Sequence, residues 1–355
     1  TTMTMNELVV PSIVGVDIGC GIDAYNLGIQ NDLDLPHFDK YMHQYVPTGG
    51  SVRAQAANWP ALVEGGENLV GDVESLTKRV NQHPKIDLDI GRVMQAIGSL
   101  GGGNHFIELD RDDNGDTWLV LHTGSRNFGY RVAYYHQQKA KDYMLDKYNG
   151  ASAYKDLEYL PLDGGGHSYL QDMRVAQMYA ETNRRIIAQI ILEGYFSEPI
   201  CDLEKDKERV VRSIHNYISF DDWILRKGAI TANQGERCII PLNMLVGCLL
   251  CTGKGSKDWN NSAPHGAGRL MSRGQAKRTL SLENFEKIMK DAGIYSSCIG
   301  KSTLDEAPGA YKDASYIKDS ISDTVKIDCH MKPIYVYKDT TGGRDRKTGK
   351  GVSNR

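Results

Sequence analysis

No stretch of the sequence is apolar for long enough to cross a bilayer as a helix, and no basic leader with a short apolar core opens it. Both absences point to a soluble chain without a membrane partner. Cysteine is scarce and unpatterned, with seven residues at positions 20, 201, 238, 248, 251, 298 and 329. An odd number without a repeating spacing excludes a disulfide framework and fits a reducing, cytoplasmic location. A dominant charge is lacking too. Lys and Arg number 42 against 45 Asp and Glu, a net −3, so no global field draws the chain to nucleic acid and any such binding needs a local patch. Glycine, by contrast, is plentiful at 37 of 355 residues. The length admits one large domain or two smaller ones, with a sizeable core.

The glycines cluster beside histidines. In Asn261–Arg269 one histidine, His265, stands between Pro264 and Gly266-Ala267-Gly268, with Arg269 four residues on. The proline fixes the entry of the turn. The glycines clear one side of the imidazole, and the arginine offers a planar fork for a phosphate. A nucleophilic histidine facing a phosphate needs this setting, although a glycine turn with a surface histidine accounts for the stretch alone. Leu8–Val16 reads as a short buried strand broken by Pro11, running into Asp17-Ile18-Gly19-Cys20-Gly21. Asp17 and Cys20 can point at one metal, and a thiolate can bridge two. Taken alone, a buried cysteine beside a turn-forming aspartate is the simpler account.

Gly101-Gly102-Gly103-Asn104-His105-Phe106-Ile107-Glu108 does not have the G-x-G-x-x-G spacing of a dinucleotide fingerprint. The strand-like alternation after it places Asn104, Phe106 and Glu108 on one side and His105 on the other. Asp110–Asp116 is a hairpin loop, and Trp118–Leu121 a core strand ending in His122-Thr123-Gly124-Ser125-Arg126. That ending suits either a ligand beside an anion site or a histidine bonded to backbone. Residues 127–195 read as mainly helical, with Arg184 and Arg185 on an exposed face of the helix over 176–192. Val210–Asn216 is a strand ending in His215-Asn216, and Arg226-Lys227-Gly228 puts two cations on a turn. Cys248 and Cys251 lack a second pair and sit in apolar surroundings, so they read as core. Arg269–Arg278 holds four cations and no acid; it either follows a nucleic-acid backbone or is a solvated helix face. A helix capped by Ser281 follows, then a loop over 305–313 and a further helix. The last strand spans Pro333–Lys338, and a polar, disordered tail covers 339–355.

Asp17, Cys20, His105, His122, His215 and His265 each lie at a strand end or glycine turn, far apart in sequence. A carboxylate, a thiolate and three imidazoles suffice for two metal ions sharing a sulfur, with His265 left as nucleophile. By ligand type alone zinc would be the metal.

With these motifs in order, the chain resembles the RtcB family of RNA-splicing ligases. The matching runs are Gly15–Gly21, Gly103–Glu108, His122–Arg126, His215–Tyr217, Arg226–Ala229, Ser262–Arg269, Glu306–Pro308 with Tyr311–Asp313, and Lys338. The resemblance implies an α+β fold of mixed sheets and surrounding helices about a central metal cleft, over residues 1–338. It implies a GTP-dependent ligase that joins RNA 3′-phosphate or 2′,3′-cyclic-phosphate ends to 5′-hydroxyl ends through a histidine–GMP intermediate. Two Mn²⁺ would be held by Asp17, Cys20 and His105, and by Cys20, His122 and His215. His265 would carry GMP. Asn104, Phe106, Glu108, Asn216, Pro241, Met244, Cys248, Gly266, Ala267, Gly268, Tyr311 and Lys338 would line the nucleotide site, and Arg126 and Arg269 would hold phosphates. An archease-like activator is a further implied partner.

The chain departs from the family in four places. An N-terminal segment with an Asp-Val-His-Pro-Gly type motif is absent. Pro241-Leu242-Asn243-Met244-Leu245 stands where Pro-Gly-Ser-Met-Gly is usual, Cys248 stands in place of a serine, and the chain runs past Lys338. The second and third departures bear on nucleotide affinity and base preference. The alternatives are a binuclear metal phosphoesterase that has lost nucleotide transfer, and a non-catalytic RNA-end binder.

Overall fold

In the computed structural model, which describes residues 1–148 and 156–341, seven antiparallel strands form the central sheet. They are β1 (Gly21–Asn26), β2 (Phe106–Arg111), β3 (Thr117–Thr123), β4 (Val210–Ile214), β5 (Arg237–Asn243), β6 (Gly247–Gly253) and β7 (Val325–Tyr337), in the order β5-β6-β7-β2-β3-β1-β4. The two edge strands face each other: the Ile239 N–H on β5 donates to Ser213 Oγ on β4 at 3.0 Å. The sheet is therefore nearly closed, which leaves little exposed edge.

Alternation along each strand sorts its side chains between two cores. Ile22, Ala24, Phe106, Trp118, Val120, Val211, Ile239, Cys248, Leu250 and Met331 fill the inside. Tyr25, Ile107, Leu109, Leu119 and Leu121 face outward onto Ile187 and Ile191 of a long helix, α1 (His167–Gly194). The α+β class expected from the sequence thus takes the form of a near-closed antiparallel sheet with helices packed outside it.

Four local expectations are corrected. Pro11 opens a helical turn over Pro11–Val14 instead of interrupting a strand; its fixed φ and missing N–H suit the first helical position. Arg184 is fully buried, with Nε 2.8 Å from Asp23 Oδ1 and Nη1 donating to the carbonyls of Gly19 and Thr123 at 3.0 and 3.2 Å. Arg185 is mostly covered and pairs with Glu204 at 3.1 Å. Helical spacing put both on the polar face, but that face crosses a buried aspartate and strand-end carbonyls that need donors. Arg226 does not sit on a turn: it ends the strand Ile224–Arg226, buried against Asp222 at 2.6 Å. The last strand starts at Val325, eight residues before the expected Pro333. Pro333 is tolerated where the register with β2 shifts.

Other expectations stand. Ser281 caps its helix through Asn284 N–H. Cys248 and Cys251, an odd number of positions apart on β6, pack into different cores. Of the tail expected to be disordered, residues 342–355 lie outside the described residues. Asp339 is engaged, accepting from Thr48 Oγ1 at 3.3 Å. Among the described residues no helix is long and apolar enough to cross a membrane.

Candidate metal centre and nucleotide cavity

The inward ends of β1, β2, β3 and β4 converge on one point, and each delivers a donor there. Asp17 and Cys20 lie on the turn entering β1, His105 precedes β2, His122 is on β3, and His215 follows β4. Cys20 Sγ stands 3.4 Å from His105 Nε2 and 3.2 Å from His122 Nε2. His122 Nε2 is 3.4 Å from His215 Nε2, and His105 Nε2 is 3.0 Å from Asp17 Oδ2. The donors fall into two groups sharing Cys20, each with its ligand atoms within 4.8 Å of one another: Asp17, Cys20, His105 and Cys20, His122, His215.

These residues fit metal ions. Burial pushes His122 and His215 well below the usual histidine range, so both are neutral at pH 7 and turn Nε2 atoms toward each other across 3.4 Å. His105 places its Nδ1 3.0 Å from the carbonyl of Leu100. A carbonyl only accepts, so Nδ1 carries a proton, and Nε2 is the ring nitrogen turned toward the cluster, where it meets the Asp17 carboxylate. Converging lone pairs in a buried site are balanced by a cation. Burial, reinforced by Asp17, pushes the Cys20 thiol up, and a bound cation would reverse that by taking the thiolate.

The supports are local. Gly101 has φ +91°, and a Cβ there would lie 2.7 Å from His105 Nδ1 and would strike the Arg126 guanidinium. Asn216 ties two turns together: its Nδ2 donates to Asp17 O at 3.1 Å and its Oδ1 accepts from Gly228 N at 3.2 Å. Gly228 in turn holds the remaining histidine. His265 Nδ1 is 2.8 Å from Gly228 O, its ring centroid is 4.5 Å from that of His215, and burial pushes its pKa down to about 4. The carbonyl again assigns the proton to Nδ1, leaving Nε2 a free lone pair at neutral pH.

His265 and His122 also line a cavity of about 310 Å³, within the range of small-ligand pockets. Asn104, Phe106, Glu108, Pro241, Met244, Gly266–Gly268, Arg269, Tyr311 and Lys338 line it with them. Its far end is an ion network. Glu306 accepts from Tyr311 Oη at 2.7 Å and lies 3.2 Å from both Lys338 Nζ and Arg269 Nη1, and Arg273 also contacts it. Burial raises the Glu306 carboxyl, yet Lys338, Arg273, Tyr311 and Arg269 together hold it at about 2. Lys338 Nζ also donates to His105 O at 3.2 Å, linking this network to the metal end.

Three of the expected site residues lie elsewhere. Arg126 donates to Gly49 O at 2.7 Å and Ser99 Oγ at 3.1 Å, bracing the glycine run outside the cavity. Asn216 is the brace described above. Cys248 is fully buried inside the sheet. Three residues named in the sequence were given no place in the site. Lys227 reaches the Asp17–Cys20 turn, its pKa lowered by burial with Asp17 and Cys20 opposing. Its signal was the paired cations at 226–227. Glu306 and Arg273 needed the tertiary fold to meet. The basic stretch proves largely neutralised, for Arg273 lies 2.7 Å and Lys277 3.2 Å from Asp305.

Comparison with known proteins gives a consistent picture. The profile of the family described as tRNA-splicing ligase RtcB matches residues 1–339. The RNA-splicing ligase RtcB of Escherichia coli K12 is 27% identical over 354 aligned residues, covering 93% of this chain and 84% of that protein. The tRNA-splicing ligases RtcB of Aeropyrum pernix and Methanococcus maripaludis are each 26% identical, covering 94% and 92% of this chain and 82% of each relative.

Proposed function

The chain belongs to the RtcB family, and from that premise we propose that it joins RNA 3′-phosphate or 2′,3′-cyclic-phosphate ends to 5′-hydroxyl ends, with GTP as co-substrate and two Mn²⁺. The observation that carries this reading is the position of His265. Its ring packs on His215 of the metal cluster, its Nδ1–H is committed to Gly228, and the residue lines the cavity.

In this reading Asp17, Cys20 and His105 hold one ion, and Cys20, His122 and His215 the other. Bound there, divalent cations neutralise triphosphate charge and make the phosphorus more electrophilic. His265 Nε2 attacks the α-phosphorus of GTP; the N–P bond forms as the P–O bond to pyrophosphate breaks. The Gly228 carbonyl keeps the imidazole in the reactive tautomer and stabilises the charge it gains. An RNA 3′-phosphate oxygen then displaces the imidazole, taking GMP. A 5′-hydroxyl oxygen attacks that 3′-phosphorus, and GMP leaves as the strand is sealed. A cyclic-phosphate end is first hydrolysed to the 3′-phosphate. Phe106 offers a ring face to a purine, Glu108 an acceptor and Lys338 a donor, while Arg269 and the Gly266–Gly268 turn face its phosphate.

The test is incubation with α-labelled GTP and Mn²⁺ beside His265→Ala. An acid-labile, alkali-stable label on the protein that is absent from the variant is the expected result. Cyclic-phosphate hydrolysis by folded, metal-loaded protein that takes no label would replace ligation with the phosphoesterase reading.

A further inference from the structure

Beneath the cavity floor, inside the near-closed sheet, a second set of titratable side chains meets. Phe106, Glu108 and Asp110 alternate inward along β2, and Cys248 reaches the same level from β6. The two carboxylates and the thiol each present a ligand atom, all within 4.8 Å of one another. All three side chains are buried, Asp110 and Cys248 completely. Cys248 Sγ lies 4.0 Å from Glu108 Oε2, and Trp118, Leu250 and Met331 belong to the apolar core that surrounds the cluster.

Asp110 is the informative member. Neither of its oxygens has a hydrogen-bond partner of ordinary geometry. Among the described residues, the groups that act on its charge are Glu108, a second acid, and the Cys248 thiol, with no cation. Apart from the weak Cys248 thiol, no donor among the described residues reaches this buried carboxyl, and it is aimed at two further metal-ligand atoms. Simple apolar packing would not gather three such groups.

We propose that Glu108, Asp110 and Cys248 bind a zinc-class divalent cation, at a site separate from the one built on Asp17, Cys20 and the histidines. One sulfur and two carboxylate oxygens are a donor set zinc accepts, with a fourth position open to water. Magnesium and calcium favour all-oxygen surroundings. Binding displaces the proton of the thiol and that of any protonated carboxyl. Glu108 also lines the cavity, so the ion fixes the carboxylate that a nucleotide would meet. Asp110 and Cys248 do not line it, and the proposal stands whether or not the chain ligates RNA.

The test counts metal on the full chain. The protein is stripped with a chelator, loaded with Zn²⁺, dialysed into metal-free buffer and analysed by plasma mass spectrometry. Asp110→Asn and Cys248→Ala should each retain about one Zn²⁺ per chain fewer than the parent; equal counts overturn the site. Should either variant misfold, Co²⁺ spectra of Cys20→Ala decide the matter. A near-ultraviolet thiolate-to-cobalt band that disappears in folded Cys20→Ala/Cys248→Ser, where serine nearly keeps the size of the buried thiol, supports the site. No band, or a band that survives in the double variant, overturns it. The histidine label is read separately, so loss of one reading does not obscure the other.

Discussion

At the metal end of the cleft the buried donors are all of one kind: carboxylate, thiol and imidazole lone pairs, facing one another at 3.0 to 3.4 Å. At the far end of the cavity, opposite charges already meet, with Glu306 enclosed by Lys338, Arg269, Arg273 and the Tyr311 hydroxyl. In the first region Arg184 and Lys227 act on Cys20 from nearby, and the clustered imidazoles and thiol hold room for a metal charge among them. The second is satisfied internally, and a ligand entering it must exchange contacts with partners already in place. Binding at one end therefore completes the structure, whereas binding at the other competes with it.

The largest expected effect tests the first half of that contrast. Cys20 is the member common to both donor groups, so Cys20→Ala should lower the affinity of both ions and the yield of the guanylylated protein. The loss should exceed the roughly 10–100-fold typical of an outer-shell metal mutation. Retention of full metal content by a folded Cys20→Ala chain would break the comparison, since the lone pairs would then not need the shared sulfur.

Glu306 tests the second half, with a smaller effect on stability. Its folded pKa, about 2, lies below the ordinary 4.5. Its contribution is therefore fully present above about pH 4.5 and is lost as pH falls through that value toward 2. The shift corresponds to about 3 kcal/mol at neutral pH. Glu306→Gln should lose stability of that order at pH 7 in denaturant unfolding, and the gap to the parent should shrink below about pH 4.5 and close only below about pH 2. A gap independent of pH would mean that the network acts through packing and not through charge.

The division between the two regions also explains what could be read from sequence. Candidate metal ligands announce themselves locally: Asp17 and Cys20 share a turn, and His105, His122 and His215 stand at strand ends with glycine or asparagine within two residues, a setting imposed by close approach. The alternation that put His105 opposite Phe106 and Glu108 follows from the period of a strand, and in the structure those neighbours line the cavity. Charge pairing leaves no such trace. Arg184 meets Asp23 across 161 positions and Arg273 meets Glu306 across 33, so helical spacing alone left Arg184 exposed and the 269–278 stretch unneutralised. The near-closure of the sheet was equally unreadable, because it depends on which edge strands meet.

The smallest expected effect concerns that basic stretch. Arg273 and Lys277 are held by Asp305, with side chains about two-fifths exposed, so the pairs are worth only about 1 kcal/mol. Asp305→Asn should cost about that much stability while leaving Arg273 its contact with Glu306. Lys277, once released, is free to meet a phosphate. If the helix Arg273–Thr279 faces bound RNA, single-strand affinity rises a few-fold. The slope of log K against log salt then steepens by roughly 0.7 for each cation that reaches a phosphate. If affinity and slope both stay unchanged while stability falls, the stretch is a solvated face. RNA must then be gripped nearer His265, where Arg269 lines the cavity, and its contact with Glu306 is the one a phosphate would have to exchange.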